Sequence, residues 1–350
     1  MKLTVVSVAY PASPVSLGTS GGAEQILALL DRALVRAGHR SIVIAAEGSE
    51  VEGALIETPL PDGDFNEDAL HRARERHRHA IERALVRWPV DLVHLHGQDF
   101  NHYLPPVGVP ALVTLHCPPQ WYAPEVFSLS RPATYLQCVS KSQRDTLPPE
   151  TNLLSEIPNG VPLDLLATRV RKREFALCLG RICPEKGFDL AVDAAIRAGI
   201  TLVIAGHLFP YEEHERYWRK LLAPKLDQRR RWVGPVGMAR KRRLLSAAKC
   251  LLTPSRVAET SSLVAMEALA CGTPVIAFPA GALPEIVDHG KTGFVVNSVA
   301  EMAGAIGCLD SIDAKTCRET AEQRFSAATM CSAYLGRYEE LVRKAVSVTS

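Results

Sequence analysis

Two glutamates with seven residues between them, Glu259 and Glu267, offer the most specific chemistry in the chain. At the rise of a helix, eight residues separate them by at most about 12 Å. A carboxylate accepts hydrogen bonds from neighbouring hydroxyls, so each glutamate can bind a diol. A diphosphate docked between them would place one carboxylate near each flanking sugar. The spacing therefore predicts that Glu267 binds a ribose and Glu259 a second sugar.

The residues between the two glutamates predict an anion site at the start of a helix. The run follows an apolar segment, residues 250–254, and either Ser261 or Ser262 can cap the helix that comes after it. Backbone N–H groups at a helix start have no partner within the helix, and the helix dipole adds positive potential there. We expect a diphosphate to bind the N–H groups of Ser262, Leu263 and Val264.

Glu267 has two interpretations. It could be an ordinary exposed residue on the helix. It lies, however, between Met266 and Ala268 in a strongly apolar stretch. A carboxylate in such surroundings is costly unless it finds hydrogen-bonding partners. We therefore expect Glu267 to be partnered, by the protein or by a ligand.

Two cations, Arg181 and Lys186, lie in one loop between a predicted strand and a predicted helix. Such a pair can stabilise the charge that develops on a departing diphosphate. An arginine can do so through paired hydrogen bonds. The alternative is a solvated loop with no role in chemistry.

The first half of the chain carries a glycine turn and three histidines. Gly21 and Gly22 follow the first predicted strand and open a helix, where glycines expose N–H groups to an anion. His94, His96 and His116 lie at strand ends. Two histidines at i and i+2 indicate a metal only when a further ligand converges on them. The residue types alone favour structural or substrate-contacting histidines.

The elements that must position these residues alternate between short apolar runs and amphipathic helices. This alternation predicts an α/β fold with parallel sheets covered by helices. The predicted strands are residues 3–9, 41–45, 90–94, 111–115, 175–179, 201–205, 250–254 and 274–277. The predicted helices include residues 23–37, 188–198, 238–249 and 263–270.

The pattern restarts after residues 159–162, which predicts two Rossmann-like doubly wound domains. We expect an N-terminal domain over residues 1–160 and a C-terminal domain over residues 161–325. A last helix, about residues 326–346, is expected to pack back onto the first domain. Two such domains would face each other across a deep cleft, with ligands at the carboxyl ends of the strands.

Several of these segments resemble one family when they are taken together. The pattern of Glu259, seven residues, Glu267 and then a turn ending in Gly-Thr-Pro-Val resembles the signature of the retaining GT-B glycosyltransferases of family 4, also called glycosyl transferases group 1. The Gly-Arg and Lys-Gly pairs of residues 180–187 and the glycine turns of residues 281–287 and 290–295 also resemble the family. The chain departs from it at residues 260–262, where Thr-Ser-Ser replaces the common Pro-Phe-Gly.

The resemblance implies a hexosyl transfer from a nucleotide-diphosphate sugar to an acceptor hydroxyl, with retention and without a metal or other cofactor. The leaving diphosphate would take the acceptor proton in a front-face attack. The catalytic residues that it implies are His116, Arg181, Lys186 and Glu259. The donor-binding residues that it implies are Gly21, Gly22, Arg181, Lys186, Ser262, Leu263, Val264 and Glu267.

The donor is expected to be a UDP-sugar in preference to a GDP- or dTDP-sugar, and the acceptor is a sugar, a lipid-linked glycan or a small molecule. Two other functions remain open. A sugar-nucleotide epimerase of the same fold would need acid–base residues around C2, and the chain shows no motif for them. A non-catalytic nucleotide-sugar sensor would fit the Thr260-Ser-Ser262 replacement.

Bulk properties exclude some classes. The net charge of +2 gives no reason to expect nucleic acid as a partner. No apolar run approaches the roughly 20 residues that span a membrane, and the N-terminus predicts a buried strand instead of a signal peptide. Nine scattered cysteines without a CxxC pair predict reduced, mostly buried thiols in a cytoplasm.

Two further patterns have mainly structural explanations. Asp62-Gly63-Asp64 has the spacing of metal-dependent GT-A transferases, but its proline-flanked setting is typical of a turn. The basic stretches at residues 71–87 and 240–243 read as solvated helix faces. Their alternative role is to dock on anionic lipid at the inner face of a membrane or on a charged acceptor.

Overall fold

The computed structural model describes residues 1–61, 66–149, 151–168 and 170–349, with side chains of the last helix described to residue 345. The Asp62-Gly63-Asp64 turn lies outside the described residues. The chain divides into two compact units. The first contains Met1–Asn159 and Ala328–Ser350, and the second contains Gly160–Ala327.

The first unit contains a parallel sheet with strands in the order β3-β2-β1-β4-β5-β6-β7. Its strands are β1 (Thr4–Val8), β2 (Arg40–Ala46), β3 (Ala54–Thr58), β4 (Leu92–Leu95), β5 (Ala111–Leu115), β6 (Thr134–Cys138) and β7 (Leu153–Leu154). Its helices are α1 (Gly22–Arg36), α2 (Glu67–Arg87) and α3 (Lys141–Arg144), with 3-10 turns at Phe100–Tyr103, Pro119–Trp121 and Pro124–Ser128.

The second unit repeats this plan with the order β10-β9-β8-β11-β12-β13, again all parallel. Its strands are β8 (Phe175–Leu179), β9 (Thr201–Ala205), β10 (Arg230–Trp232), β11 (Cys250–Thr253), β12 (Val275–Ala277) and β13 (Gly293–Val295). Its helices are α4 (Leu163–Leu166), α5 (Phe188–Arg197), α6 (Glu212–Tyr217), α7 (Met238–Ala247), α8 (Leu263–Ala270), α9 (Leu283–Ile286), α10 (Val299–Gly307) and α11 (Ala314–Arg324). A π-helical turn, Trp218–Leu222, continues α6, and 3-10 turns lie at Pro184–Lys186, Ala223–Lys225 and Leu309–Ser311.

The last helix, α12 (Ala327–Thr349), belongs to the first unit from Ala328 onward. Where the chain enters and leaves the second unit, Val161 pairs with Ser326 in a parallel bridge. No helix in the described ranges is both long and apolar enough to cross a bilayer.

Each sheet is covered on both faces, which explains why its central strands are apolar throughout. Alternate residues of a strand point to opposite faces. In β8, Leu177 and Leu179 pack in one buried cluster, while Ala176 and Cys178 pack in another. The same logic buries every residue of β1. Burial on both faces is typical of parallel sheets and confirms the α/β prediction.

Both sheets reverse their winding at one place. In the first unit this switch point lies between β1 and β4, and in the second between β8 and β11. The loops that follow two such strands diverge to opposite faces of the sheet and leave a crevice at their carboxyl ends. Gly21 and His96 follow the strands of the first switch point, and Arg181 and Glu259 follow those of the second.

The basic stretch in α2 packs as its spacing predicts. Asn66 caps the helix by accepting a hydrogen bond from the Ala69 N–H at 2.9 Å. The buried stripe is apolar apart from one member, His77, and contains Ala69, Leu70, Ala73, His77, Ala80, Ile81 and Ala84.

Candidate active site

Strands β8 and β11 bring the two cations and the first glutamate of the sequence analysis to one edge of the second sheet. The strands pair in parallel, with Cys250 opposite Ala176 and Leu251 opposite Leu177. The loop after β8, residues 180–187, and the loop after β11, residues 254–262, therefore begin side by side.

A glycine allows the two loops to touch. Gly187 has φ +62°, and a Cβ atom at this position would lie 2.2 Å from the carbonyl oxygen of Pro254. Only a residue without a side chain permits this approach, and its left-handed backbone also favours glycine. The Lys-Gly pair of the motif thus presses the end of one loop against the start of the other.

Arg256, in the second loop, forms hydrogen bonds to the first loop and to α5. Its backbone N–H donates to the Glu185 carbonyl at 2.8 Å. Its guanidinium donates to both carboxylate oxygens of Asp189, at 2.9 and 2.7 Å, while the Tyr217 hydroxyl donates to Asp189 at 2.8 Å. Burial alone would raise the pKa of Asp189, but the hydrogen bonds from Arg256 and Tyr217 hold it below its usual value. This bidentate pair fixes the geometry of both loops.

Lys186 and Glu259 form an ion pair across the two loops. The lysine Nζ lies 2.7 Å from Oε1 and 3.0 Å from Oε2 of the glutamate. The hydroxyl of Ser255 also donates to Glu259. The Glu259 side chain is 11% exposed and that of Lys186 is 25% exposed, so the pair is shielded from bulk water but remains accessible. The sequence predicts both residues in the site but not their direct contact.

The backbone of Glu259 is held from the other side by the glycine turn at Gly281. Glu259 pairs with Gly281 in a parallel bridge, and its carbonyl accepts a hydrogen bond from Ala282 at 2.8 Å. Gly281 has φ +60°, and a Cβ atom there would lie 2.2 Å from the Glu259 carbonyl oxygen. The motif glycine is therefore a support for the catalytic candidate.

Arg181 stands apart from these contacts. Within the described ranges, its guanidinium forms no ion pair or hydrogen bond with another side chain. Its positive charge nevertheless acts on two nearby groups, because it contributes to the lowered pKa values of Glu185 and His214. A partly buried guanidinium without a protein partner is available for an anionic ligand.

Helix α8 begins with N–H groups that have no protein partner. Ser262 occupies the N-cap position, yet its side chain makes no capping hydrogen bond, so the predicted serine cap is wrong. The Ser261 hydroxyl is also buried without a partner. Among the described residues, no group accepts a hydrogen bond from the N–H of Ser262, Leu263 or Val264. The helix start is thus an open set of donors with positive potential.

Glu267 is buried and has found a partner in the protein. It is 1% exposed, and Lys241 of α7 donates to its Oε1 at 2.5 Å. Its other oxygen accepts no hydrogen bond from the part of the chain that the structure describes. The alternative interpretation, in which Glu267 is an exposed helix residue, is therefore excluded.

The basic run at residues 240–243 is also more than a solvated face, because Arg242 donates to the Leu165 carbonyl at 3.3 Å.

In the first unit, the predicted anion site at the glycine turn already holds a carboxylate. Gly21 is the N-cap of α1 and Gly22 its first residue. The side chain of Glu24 folds over Gly21, so that a Cβ atom on Gly21 would lie 1.8 Å from a Glu24 carboxylate oxygen. Glu24 is 8% exposed. A donor phosphate at this turn would have to displace or join this carboxylate.

The three histidines of the first unit form one contact chain. His96 Nδ1 lies 3.0 Å from His116 Nε2, and the ring centroids of His94 and His96 are 4.0 Å apart. His94 is fixed from both sides, by Tyr338 of α12 at 2.8 Å and by Thr114 at 2.8 Å. His96 Nε2 is buried without a partner. His116, at the end of the chain of contacts, is the partly buried member that a substrate could reach.

All three rings are neutral at physiological pH. Burial lowers the pKa of His116 to about 3. Burial, followed by the proximity of the neighbouring rings, holds the pKa values of His94 and His96 well below their ordinary range. His116 can therefore offer a neutral hydrogen-bonding contact, and it cannot serve as a cationic acid near pH 7.

Several partners escaped the sequence analysis. Lys241 lies in the basic stretch of residues 240–243, which the sequence predicts as a solvated helix face, and Arg256, Asp189 and Ser255 lie outside the quoted motifs. The apolar surroundings of Glu267 nevertheless indicate that a cation must approach it. Glu24 could have been found, because an acidic residue in the first turn of a helix favours its N-terminus.

The chain contains two doubly wound sheets, and the switch point of the second sheet brings together cations, a carboxylate and an open helix start. This arrangement is typical of α/β proteins of the GT-B class. Sequence comparison agrees. Residues 173–310 match the family described as Glycosyl transferases group 1, and residues 20–165 match Glycosyltransferase Family 4. The chain belongs to the family 4, group 1 glycosyltransferases.

Known proteins of similar sequence and fold support this assignment. The D-inositol 3-phosphate glycosyltransferase of Acidothermus cellulolyticus is 35% identical over 146 residues, which is 38% of this chain and 32% of the relative. Sucrose-phosphate synthase from Thermosynechococcus elongatus superposes with a TM-score of 0.78 at 20% identity, covering 97% of this chain and 100% of that one. HepE of Anabaena, in complex with UDP and glucose, gives 0.74 at 19% identity, covering 96% and 99%.

The sequence alignments cover only part of each relative, and the structural superpositions bear on the fold. The alignments span about a third of the length of curated relatives such as the Acidothermus enzyme. The structural neighbours show the fold alone, and they confirm the GT-B prediction.

Proposed function

We propose that this protein transfers a glycosyl group from a nucleotide-diphosphate sugar to an acceptor hydroxyl, with retention at the anomeric carbon. The observation that carries the proposal is the Lys186–Glu259 pair, which lies three residues before the open start of α8. Cations, a sugar-binding carboxylate and free N–H donors meet there at the switch point of a doubly wound sheet, where ligands of such folds bind.

The diphosphate would bind the N–H groups of Ser262, Leu263 and Val264 and the side chains of Arg181 and Lys186. Lys186 has three N–H donors, and Glu259 receives two of them. The third can reach a phosphate oxygen without breaking the ion pair. Arg181 would not have to give up a side-chain partner among the residues that the structure describes. These preorganised donors would stabilise the departing diphosphate, so that the reaction needs no metal for this step.

Glu259 would hold the transferred sugar. A carboxylate has about four acceptor sites, and the contacts with Lys186 and Ser255 leave capacity for a sugar hydroxyl. Glu267 would hold the ribose through the oxygen that Lys241 does not engage. His116, as a neutral ring, would contact the sugar from the first unit, and Gly21 and Gly22 would border the donor phosphate.

Retention is proposed from the resemblance to the retaining family, and the Lys186–Glu259 pair bears on how it would be achieved. Glu259 is already occupied by two donors, which makes it a poor nucleophile. We therefore favour front-face attack, in which the leaving diphosphate accepts the proton of the acceptor hydroxyl as the new glycosidic bond forms. A UDP-sugar is the preferred donor, since the similar HepE structure contains UDP and glucose. The nine free cysteines support a reducing, cytoplasmic location.

A thermal-shift panel of UDP-, GDP- and dTDP-sugars, paired with an assay of nucleotide diphosphate release, tests the proposal. Ligands that bind the folded state raise the Tm according to their affinity. We expect one nucleotide class to raise the Tm and to be turned over. A flat panel would contradict nucleotide-sugar binding. Binding without any release, in the presence of sugar acceptors, would establish a sensor and overturn the transfer reaction.

The Glu259→Gln variant separates binding from chemistry. It should keep the Tm shift with nucleoside diphosphate and lose at least about 100-fold in kcat, because the charge on the sugar-binding carboxylate is removed. Glu319→Gln, an exposed change on α11, is the matched control and should leave both quantities unchanged. Turnover that survives in Glu259→Gln would exclude this role.

A further inference from the structure

A cluster of three metal-binding side chains lies on the loop after β8, on the side that faces α6. Cys183, Glu185 and His214 place one ligand atom each within 4.8 Å of one another. Cys183 is 1% exposed and His214 is 8% exposed. The reaction proposed above uses none of the three.

Two atoms of the cluster are buried without a hydrogen bond. Among the described residues, neither the Glu185 Oε2 atom nor the His214 Nδ1 atom has a partner. Buried polar atoms are nearly always paired, because an unpaired one carries its full desolvation cost. Two such atoms beside a thiol indicate that something else completes their coordination.

The backbone around the cluster is held in place from both sides. Tyr217 of α6 binds Asp189 of α5 through its hydroxyl, which accepts from the Asp189 N–H at 3.0 Å and donates to its carboxylate at 2.8 Å. The Cys183 backbone leads into the 3-10 turn Pro184–Lys186, and Arg256 is bonded to the carbonyl of Glu185 at 2.8 Å. The three ligands are therefore supplied by fixed elements and not by a mobile surface.

We propose that Cys183, Glu185 and His214 bind a zinc ion, with a water molecule at the fourth position. A thiolate, an imidazole and a carboxylate are the ligand types that zinc takes, and three protein ligands with one open position is a common arrangement for it. Ligand atoms around tetrahedral zinc lie about 3.5 Å apart, so closure of the cluster by about an ångström suffices.

The charges balance at this site. Zinc displaces the thiol proton of Cys183 to solvent, and the resulting thiolate with the Glu185 carboxylate neutralises the two positive charges of the ion.

The site would link α6 to the loop that carries Arg181 and Lys186. Zinc here is a structural clamp on the diphosphate-binding loop, two residues from Arg181 and one from Lys186. The ion would not act as a Lewis acid in the reaction. In the proposed function the diphosphate binds Arg181, Lys186 and the N–H groups at the start of α8, and the reaction uses none of the three zinc ligands. The proposal does not depend on the transfer reaction.

Metal titration of the full chain tests the site. After treatment with a chelator, the protein is titrated with zinc in competition with a chromophoric chelator, and with Co²⁺ as a spectroscopic probe. We expect one tight zinc equivalent, a thiolate-to-cobalt charge-transfer band, and a rise in Tm with zinc. Cys183→Ala and His214→Gln should each weaken zinc binding by more than about 100-fold, since loss of an outer-shell partner alone costs 10- to 100-fold.

Cys308→Ala and His289→Gln, which change exposed residues of the same unit, are the matched controls and should keep the band and the affinity. Thermal unfolding without metal shows whether each variant is folded. The Cys183→Ala variant loses a buried thiol only, so a folded variant without the band supports the site. A charge-transfer band that survives in Cys183→Ala, or wild-type protein that binds no zinc, overturns it.

Discussion

At the switch point of the second unit, between β8 and β11, charged side chains are joined in ion pairs, whereas the loops after β4 and β5 of the first unit carry three neutral histidine rings in contact with one another. Lys186 binds Glu259 and Arg256 binds Asp189 in the second unit. In the first, His96 lies against His94 and His116 with lowered pKa values. The six strands of the second sheet have the same order as the first six strands of the first sheet, so topology alone does not set the chemistry.

Under the proposed function, this difference predicts that the two sets of residues have different tasks, for electrostatic reasons. A cationic loop with free N–H donors suits the anionic half of a nucleotide sugar. Neutral buried histidines suit a sugar hydroxyl, because they donate or accept hydrogen bonds without attracting water through charge. Each of the four predictions below tests one side of this contrast, and they run from the largest expected effect to the smallest.

The largest effect is expected at the buried ion pair of the second unit. Glu267→Ala leaves Lys241 without its partner and should lower the free energy of unfolding by about 3–5 kcal/mol. Urea denaturation measures this loss. The double variant Glu267→Ala/Lys241→Met should recover a large part of it, since the uncompensated charge is gone. Glu319→Ala, which breaks an exposed pair with Lys315, is the control and should cost less than about 1 kcal/mol. A double variant no more stable than the single one would refute the charge argument.

The second prediction concerns the unpaired cation. Arg181→Gln should lower kcat by about 100- to 1,000-fold, equivalent to roughly 3–4 kcal/mol of transition-state stabilisation. Its Tm should stay unchanged, because the guanidinium has no side-chain partner within the described residues. Steady-state kinetics with the donor found by the thermal-shift panel measure the change. Arg197→Gln, an exposed change at the end of α5, should have wild-type kinetics. An unchanged kcat in Arg181→Gln would contradict the role proposed for the cations of the second unit.

The third prediction concerns another buried, neutral histidine of the first unit, His77 of α2. Burial lowers the pKa of His77 to about 4, below the ordinary value of 6.5. Between these values the unfolded chain binds a proton that the folded chain does not, so stability present above pH 6.5 is lost as the pH falls towards 4. At pH 5 the loss from this residue is about 2 kcal/mol.

His77→Phe should therefore reduce the fall in stability between pH 7 and pH 5 by that amount, as measured by urea unfolding at both pH values. His289→Phe, at an exposed histidine, should leave the pH dependence as it is in the wild type. An identical pH dependence in His77→Phe and the wild type would show that His77 is not held neutral.

The smallest effect is expected at the glycine turn of the first unit. A Cβ atom on Gly21 meets only the end of the flexible Glu24 side chain, and its φ of −83° suits any residue. Gly21→Ala should cost less than about 1 kcal/mol in thermal unfolding. Gly281→Ala is the matched comparison, because it combines φ +60° with contact against the Glu259 backbone. It should cost more in stability and also lower kcat. Equal effects of the two changes would contradict the rigid support proposed for Glu259.

The sequence predicted the strands and helices whose apolar runs are continuous. Three predicted strands have the same bounds in the structure, namely residues 111–115, 175–179 and 201–205. Helix α8 also begins and ends at the predicted residues. Strand β6 was missed, and so were the four edge strands, β3, β7, β10 and β13. Strand β10, for example, contains two arginines, and β13 begins at Gly293. Short edge strands of this kind form through pairing with a neighbour, which a local pattern does not reveal.

The site was predicted in part, for a similar reason. An apolar helix around Glu267 shows that the carboxylate needs a partner, but only the packing of α7 on α8 selects Lys241, which lies 26 residues away. The Lys186–Glu259 contact spans 73 residues and follows from the pairing of β8 with β11. Glu259, Glu267 and the two cations were found because their spacing is local.

The Arg256–Asp189–Tyr217 contacts have a consequence for anyone who exchanges segments between relatives of this protein. The loop of residues 180–187 takes its shape from three side chains that are spread over 67 residues of sequence. A chimera that received only this loop would place its arginine and lysine against side chains of the recipient protein, without the three side chains that hold the loop here. The module that can be transplanted is therefore a discontinuous one, composed of the loop, the first turn of α5, the end of α6 and the residue at position 256.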